Sequence, residues 1–164
     1  MKLVYAPSFR ESQDILHANV LCGYDISVLE CLLKANNGGG GKINEVLYLP
    51  NPKTPKSYNK VILDSLPSIK SIKSLSGARS CDTLITDLST LALMFNLQFL
   101  KPSVLFLPCF TSIDFGKDHL YSLIHRFNFL SFSQKQLRQT LKDLPNLAPT
   151  KTQEILNFMQ EDLL

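Results

Sequence analysis

The sequence predicts an α/β fold, a Rossmann-like doubly wound domain with a mostly parallel sheet of about six strands. Short apolar runs alternate along the chain with longer segments in which apolar residues recur at helical spacing. The run Ser103–Leu107 is almost wholly apolar, which is typical of a parallel strand buried on both faces. Residues 81–90 add the order strand, sharp turn and helix start, which indicates one crossover of such a sheet.

Length and composition fit one globular domain. The chain has 164 residues, of which 45% are hydrophobic and 19% charged, enough to bury a core. The net charge of +3 is mild and spread along the chain, so we expect no nucleic-acid partner. No window approaches the roughly 18 apolar residues that span a bilayer. The apolar run at residues 1–7 is too short for a signal peptide, so we expect a cytoplasmic protein whose first strand lies there.

Local signals place the individual elements. Asp25 is a typical N-cap residue, so we expect the first helix to run from there through Leu33, with residues 10–23 as a loop or irregular helix. Three prolines exclude regular structure at residues 50–55. Ser133 and Gln136 have the spacing of a capping box and open another helix. The predicted strands are Leu3–Ala6, Val46–Leu49, Ile69–Ile72, Thr83–Thr86, Ser103–Leu107 and Phe127–Phe132. The remaining predicted helices are Tyr58–Leu66, Leu91–Leu100, Lys117–Arg126 and Thr152–Leu164.

The C-terminal part of the chain contains two prolines, Pro145 and Pro149, that predict a joint at residues 145–150. Residues 1–145 form the predicted Rossmann-like lobe. Residues 146–164 form a predicted amphipathic helix that packs on this lobe, since their apolar residues recur at helical spacing.

Glycines, cysteines and histidines give no motif for a cofactor. The run Gly38–Gly41 lacks the spacing of dinucleotide-binding and P-loop motifs, so it predicts a solvated connector. A slippage-prone guanine tract in the gene is a second hypothesis for this run, which its codons would decide. We expect no metal and no cofactor, because the candidate ligands do not have metal-site spacing. These residues are Cys22, Cys31, Cys81, Cys109, His17, His119 and His125.

The decapeptide at residues 81–90 is the strongest local signal of function. The apolar run Thr83–Thr86 is followed by Asp87, Ser89 and Thr90 and then by a helical segment. Ligands of open parallel sheets bind at the carboxyl ends of strands, and the free N–H groups of a first helical turn favour an anion. The decapeptide therefore predicts a phosphate site.

Three segments resemble one protein family. Residues 3–10 (LVYAPSFR) resemble the ILYAPTFR segment that opens the C-terminal lobe of CDP-glycerol glycerophosphotransferases. Residues 81–90 (CDTLITDLST) resemble the ADVLITDYSS segment of that family, and residues 101–106 (KPSVLF) resemble its following KPIIFY strand. The order and spacing also match, and the resemblance covers most of the chain to about residue 145.

This resemblance implies the donor-binding lobe of a two-lobed glycosyltransferase B fold. Members of the family make the poly(glycerol phosphate) chains of teichoic acid and related bacterial cell-surface polymers from CDP-glycerol. The resemblance implies CDP-glycerol as the donor, a separately encoded N-terminal lobe as a partner, and at most weak activity for this chain alone. It implies association with the inner face of the membrane only through regions that lie outside this chain.

The resemblance also assigns roles to particular residues. It implies that Arg10, Ser89 and Thr90 hold the donor phosphates, whereas a solvated Arg10 and an ordinary helix cap at Ser89 or Thr90 are the alternatives. Asp87 either orients a hydroxyl of the donor or shapes the turn. Lys73 and Arg79 are further basic candidates, without motif support. No catalytic residue is assigned.

Two positions depart from the family pattern. The family has a His-Pro-Asn sequence after its second strand, and Leu49 occupies the histidine position here, before Pro50 and Asn51. Leucine neither donates a hydrogen bond nor transfers a proton. Leu88 replaces the tyrosine of the Tyr-Ser-Ser pattern. Three alternatives therefore stay open: a lobe that binds nucleotide sugars, a non-catalytic remnant or partner of a split transferase, and a general nucleotide-binding domain.

Overall fold

The computed structural model describes residues 1–9, 15–35, 42–87, 89–108 and 119–161, with the backbone alone for residues 15–22. Strands and helices alternate, and each predicted strand is found within two residues of its predicted ends. A short 3₁₀ helix was not among the predicted elements. The elements are β1 (Lys2–Tyr5), α1 (Ile15–Lys34), β2 (Glu45–Tyr48), α2 (Lys56–Ser65), β3 (Lys70–Ser71), the 3₁₀ helix (Leu75–Ala78), β4 (Thr83–Thr86), α3 (Thr90–Phe99), β5 (Val104–Phe106), α4 (His119–Phe127), β6 (Phe129–Ser131) and α5 (Gln134–Glu161).

The six strands form one all-parallel sheet in the order β3-β2-β1-β4-β5-β6. This order confirms the predicted Rossmann-like α/β fold, including the short edge strand β3. Strands β2 and β3 lie on one side of β1, and strands β4, β5 and β6 lie on the other side. The direction of the strand order therefore reverses between β1 and β4. The carboxyl ends of β1 and β4 therefore flank the topological switch point, where such sheets bind ligands.

The central strand β1 is buried on both faces. Leu3 and Tyr5 pack in an apolar cluster with residues of α1, α2 and α5. Val4 and the following Ala6 pack on the opposite face, in a cluster with residues of the 3₁₀ helix and α3. This alternation is the arrangement expected of a central parallel strand covered by helices on both sides.

The prediction for Asp25 was wrong. Helix α1 begins at Ile15, so Asp25 lies within the helix and is fully buried rather than capping its start. Its two carboxyl oxygens accept hydrogen bonds from the hydroxyls of Tyr5 and Tyr58, each at 2.5 Å. Aspartate usually favours helix ends, where its side chain bonds to free backbone N–H groups. Here the two tyrosine hydroxyls satisfy the carboxylate within the helix.

The predicted joint at residues 145–150 is also absent, because α5 runs without a break through Pro145 and Pro149. Both prolines are exposed, and the helix is anchored by apolar side chains on either side of them. Leu141 packs in the cluster beneath α1, and Phe158 makes an edge-to-face contact with Phe127, with ring centroids 5.3 Å apart. The division of the chain at residue 145 stays a prediction, and that residue lies within α5.

The predicted helix start at Ser133 is confirmed. The Ser133 hydroxyl accepts a hydrogen bond from the N–H of Gln136 at 3.2 Å. The Gln136 side chain accepts one in return from the N–H of Phe132 at 2.7 Å. This reciprocal pair satisfies two N–H groups at the start of α5, as in a capping box.

Several predicted features lie outside the described residues, namely the Gly38–Gly41 connector, Cys109, and the side chains of His17 and Cys22. Cys31 and Cys81 are buried free thiols. None of the described helices combines the length and the apolar character that crossing a membrane requires.

Candidate functional site

The candidate site lies at the carboxyl ends of β1 and β4. The hydroxyl of Thr86, the last residue of β4, donates a hydrogen bond to the carbonyl of Ala6 at 2.6 Å. The N–H of Ala6 donates to the carbonyl of Ile85 at 2.9 Å. These two bonds keep the two strands paired to their ends, so the loops that follow them leave the sheet side by side.

Ser89 is the N-cap of α3. Its backbone is extended, with φ −144° and ψ 142°, and its hydroxyl accepts a hydrogen bond from the N–H of Leu91 at 3.2 Å. Thr90 is the first helical residue and is exposed. The capping alternative for Ser89 is therefore confirmed. A cap of this kind leaves the positive end of the helix dipole facing outward, so it is compatible with an anion site.

Asp87 ties the two loops together. Its carboxylate accepts hydrogen bonds from Ser8, one from the backbone N–H at 2.9 Å and one from the hydroxyl at 2.8 Å. Asp87 thus links the turn after β4 to Ser8, a residue that follows β1. Two of its acceptor directions are occupied by these bonds, which leaves less of the carboxylate for a donor hydroxyl.

A cleft of about 280 Å³ opens at this edge of the sheet. It brings Ser89 and Thr90 together with Lys73 and with the loop that follows β2. The sequence does not predict most of the residues that line this cleft. Two of them, Pro7 and Pro50, directly follow predicted strands, which is the only local signal for their place at this edge. The described lining residues are Pro7, Leu49, Pro50, Asn51, Pro52, Lys73, Ser74, Leu75, Ser89, Thr90, Leu91 and Met94.

Lys73 is the charged residue of this lining. Its side chain is exposed, and within the described ranges it has neither an ion-pair partner nor a hydrogen-bond partner. Its positive charge and the first turn of α3 therefore act on the same cleft, and both favour an anion. The second basic candidate, Arg79, lies outside the cleft.

Leu49 lies in the wall of the cleft at the position where the resembled family has histidine. It is 7% exposed and packs with Val4, Ala6 and Leu47 on the face of the sheet that α3 covers. Its backbone N–H donates to the carbonyl of Tyr5 at 2.9 Å, which holds the start of the loop against β1. The side chain supplies apolar surface and no proton donor.

Arg10 and Leu88 lie outside the described residues. The role of Arg10 in phosphate binding therefore stays a prediction, as does the consequence of leucine at position 88.

The described thiols and acidic groups do not form a second chemical centre. Burial raises the pKa of the Cys81 thiol to about 11, against a smaller opposing effect of the Lys2 and Lys101 ammonium groups. A thiol with this pKa is protonated at neutral pH and a poor nucleophile. In the parts of the chain that the structure describes, no three His, Cys, Asp or Glu side chains lie close enough to hold a metal ion.

No protein-family model matches this chain, and no curated protein matches it significantly.

Proposed function

We propose that the cleft binds the phosphate of a nucleotide donor, and that the chain serves as the donor-binding lobe of a CDP-glycerol glycerophosphotransferase-like enzyme in cell-surface polymer synthesis. The observation that supports this most is the position of Lys73 and the capped start of α3 in one cleft at the switch point of the sheet. The resemblance of residues 3–10, 81–90 and 101–106 supplies the identity of the donor.

The size of the cleft supports the further proposal of a partner lobe. Sites that enclose a small molecule have volumes of roughly 300–1,000 Å³. The cleft, at about 280 Å³, lies at the lower end of this range and is open on one side. A second protein surface, such as a separately encoded N-terminal lobe, would cover the rest of the donor.

The proposed chemistry is phosphoryl transfer. An oxygen of the acceptor hydroxyl forms a bond to the glycerol-bearing phosphorus of CDP-glycerol, the bond from that phosphorus to CMP breaks, and the acceptor proton passes to a base. Negative charge builds up on the phosphate oxygens during this step. Lys73 and the N–H groups of the first turn of α3 would stabilise that charge, because they are positioned before the reaction begins.

A second candidate function is a non-catalytic partner subunit, and the wall of the cleft favours it. None of the described lining residues is a His, Asp or Glu, and Leu49 occupies the position of the family histidine. On this account the chain binds a nucleotide but provides no base of its own. Release of CMP from CDP-glycerol would then require another chain.

Calorimetric titration with CDP-glycerol, CMP and a panel of nucleotide sugars tests the proposed function. We expect saturable binding of CDP-glycerol and CMP. Tighter binding of a nucleotide sugar would instead support the sugar-transferase alternative, and no heat with any ligand would contradict the donor-binding lobe. Arg10→Ala tests the sequence-based role of Arg10, and binding equal to that of the wild type would remove this residue from the site.

A further inference from the structure

A second cavity lies beside the other end of α3. It has a volume of about 350 Å³ and is lined by Ser76, Arg79, Gln98 and Phe99. Ser76 belongs to the 3₁₀ helix, which packs against α3 through Ala78 and Phe95. Gln98 lies eight positions after Thr90 in α3, a distance of about 12 Å along the helix axis. The cavity is therefore distinct from the cleft at the switch point.

We propose that this second cavity is a binding site for a small oxyanion, such as a phosphate group, with Arg79 as its main ligand. The guanidinium of Arg79 is exposed, and within the described ranges it has no hydrogen-bond or ion-pair partner. A guanidinium offers several N–H donors in a planar fork that matches two oxygens of a phosphate.

The backbone of Arg79 is held in place before any ligand binds. Its N–H donates to the carbonyl of Ser76 at 3.2 Å. Its carbonyl accepts a hydrogen bond from the Lys101 ammonium group at 3.0 Å, and the same ammonium group donates to the carbonyl of Cys81 at 2.7 Å. Lys101 therefore fixes the loop that carries Arg79 and also adds a second positive charge next to it.

The other lining residues complete the set of donors. The Gln98 amide has no hydrogen-bond partner within the described ranges, so its NH₂ group is available to an anion. The Ser76 hydroxyl forms a hydrogen bond of 2.7 Å with the hydroxyl of Ser74, which lines the first cleft. When Ser74 is the donor in this pair, the Ser76 proton is free to point into the cavity. Phe99 supplies an apolar wall beside these donors.

Negative charge is also present near the cavity. Helix α3 ends at Phe99, and the carboxyl end of a helix carries about half a negative charge. Asp82 follows Cys81, whose carbonyl binds the Lys101 ammonium group, so the Asp82 carboxylate offsets part of the Lys101 charge. The charge that lines the cavity itself is the exposed guanidinium of Arg79, and it favours an anion.

Titration of ¹⁵N-labelled protein with inorganic phosphate tests this site, with sodium chloride at matched ionic strength as the reference. The readouts are the side-chain N–H signals of Arg79 and Gln98. We expect saturable shifts of both signals with phosphate and none with chloride. Linear shifts, or equal shifts with chloride, would overturn the proposal.

Variants separate this site from the first cleft. Arg79→Gln removes the charge and keeps the backbone bonds. We expect the Kd of phosphate, measured from the Gln98 signal, to rise at least about tenfold, because a charged hydrogen-bond partner is lost. Lys73→Gln removes an equal charge from the first cleft and should leave the Arg79 and Gln98 titrations unchanged. Gln98→Leu keeps the charge and should weaken phosphate binding at Arg79. An Arg79→Gln variant that titrates as the wild type does would overturn the proposal.

Discussion

The carboxylate of Asp87 accepts two hydrogen bonds from Ser8, at 2.9 Å from the backbone N–H and at 2.8 Å from the hydroxyl. These residues are 79 positions apart in the sequence and follow β1 and β4, the two strands at the switch point. Pro7 and Ser89, their near neighbours, both line the cleft. The Asp87–Ser8 pair therefore sets the relative position of two walls of the candidate site.

Replacing Asp87 by alanine should destabilise the protein by about 2–3 kcal/mol, because the Ser8 N–H and hydroxyl both lose a carboxylate acceptor in a half-buried place. Ser8→Ala removes the hydroxyl bond to Asp87, keeps the backbone N–H bond, and should cost about 1–1.5 kcal/mol. Urea denaturation of both variants and of the double variant measures the coupling between them. The exposed Asp64, which pairs with Lys60 one helical turn away, is the control, and Asp64→Ala should cost less than about 0.5 kcal/mol. Additive effects of the Asp87 and Ser8 changes would refute the link.

The buried Asp25 should be among the most sensitive positions of the fold. Asp25→Ala leaves the hydroxyls of Tyr5 and Tyr58 without this acceptor in the core, and we expect a loss of about 3–5 kcal/mol in the free energy of unfolding. Tyr58→Phe removes the hydrogen bond from the Tyr58 hydroxyl to Asp25 and should cost about 2 kcal/mol. Tyr48→Phe is a matched control, because its hydroxyl donates at 2.9 Å to the neutral Asn59 amide, and it should cost about 1 kcal/mol. Equal losses for the two tyrosine variants would contradict this account of Asp25.

Cys81 should make the protein less stable in alkaline solution. The pKa of the Cys81 thiol is about 11 in the folded protein, and the ordinary value of 9.0 applies to the unfolded chain. Between these two pH values the unfolded chain therefore binds fewer protons than the folded protein. The free energy of unfolding therefore falls as the pH rises from about 9 to about 11, and Cys81 has no such effect below pH 9. We expect a smaller fall for Cys81→Ala, measured by urea denaturation across this pH range. Parallel pH profiles of the two proteins would show that the thiol does not contribute.

The sequence predicts most of the elements because their signals are local. The apolar runs and the prolines that end them lie within a few residues of each other, as at Val46–Leu49 and Pro50. Asp25 was misassigned because its partners, Tyr5 and Tyr58, lie 20 and 33 residues away in the sequence. The continuity of α5 was missed because packing on both sides overrides the local effect of two exposed prolines.

The candidate site was predictable only in part. The motif at residues 81–90 identifies Ser89 and Thr90, and both line the cleft. Lys73 has no motif, and its place in the cleft depends on β3 lying next to β2 in the sheet. Strand order is a property of the tertiary structure, and no local pattern in the sequence specifies it.

The most direct test of phosphate binding at the cleft compares two helix caps. Ser89 caps α3 at the cleft, and Ser133 caps α5 elsewhere; each hydroxyl accepts one backbone N–H at 3.2 Å. Alanine at either position should cost about 1 kcal/mol in the free energy of unfolding, so the two variants are matched in stability. The measurement is the Kd of CMP by calorimetry for both variants and the wild type. We expect Ser89→Ala to raise the Kd roughly tenfold, as loss of a hydrogen bond to a charged group does, and Ser133→Ala to leave it unchanged. Equal Kd values for the two variants would contradict a phosphate site at the start of α3.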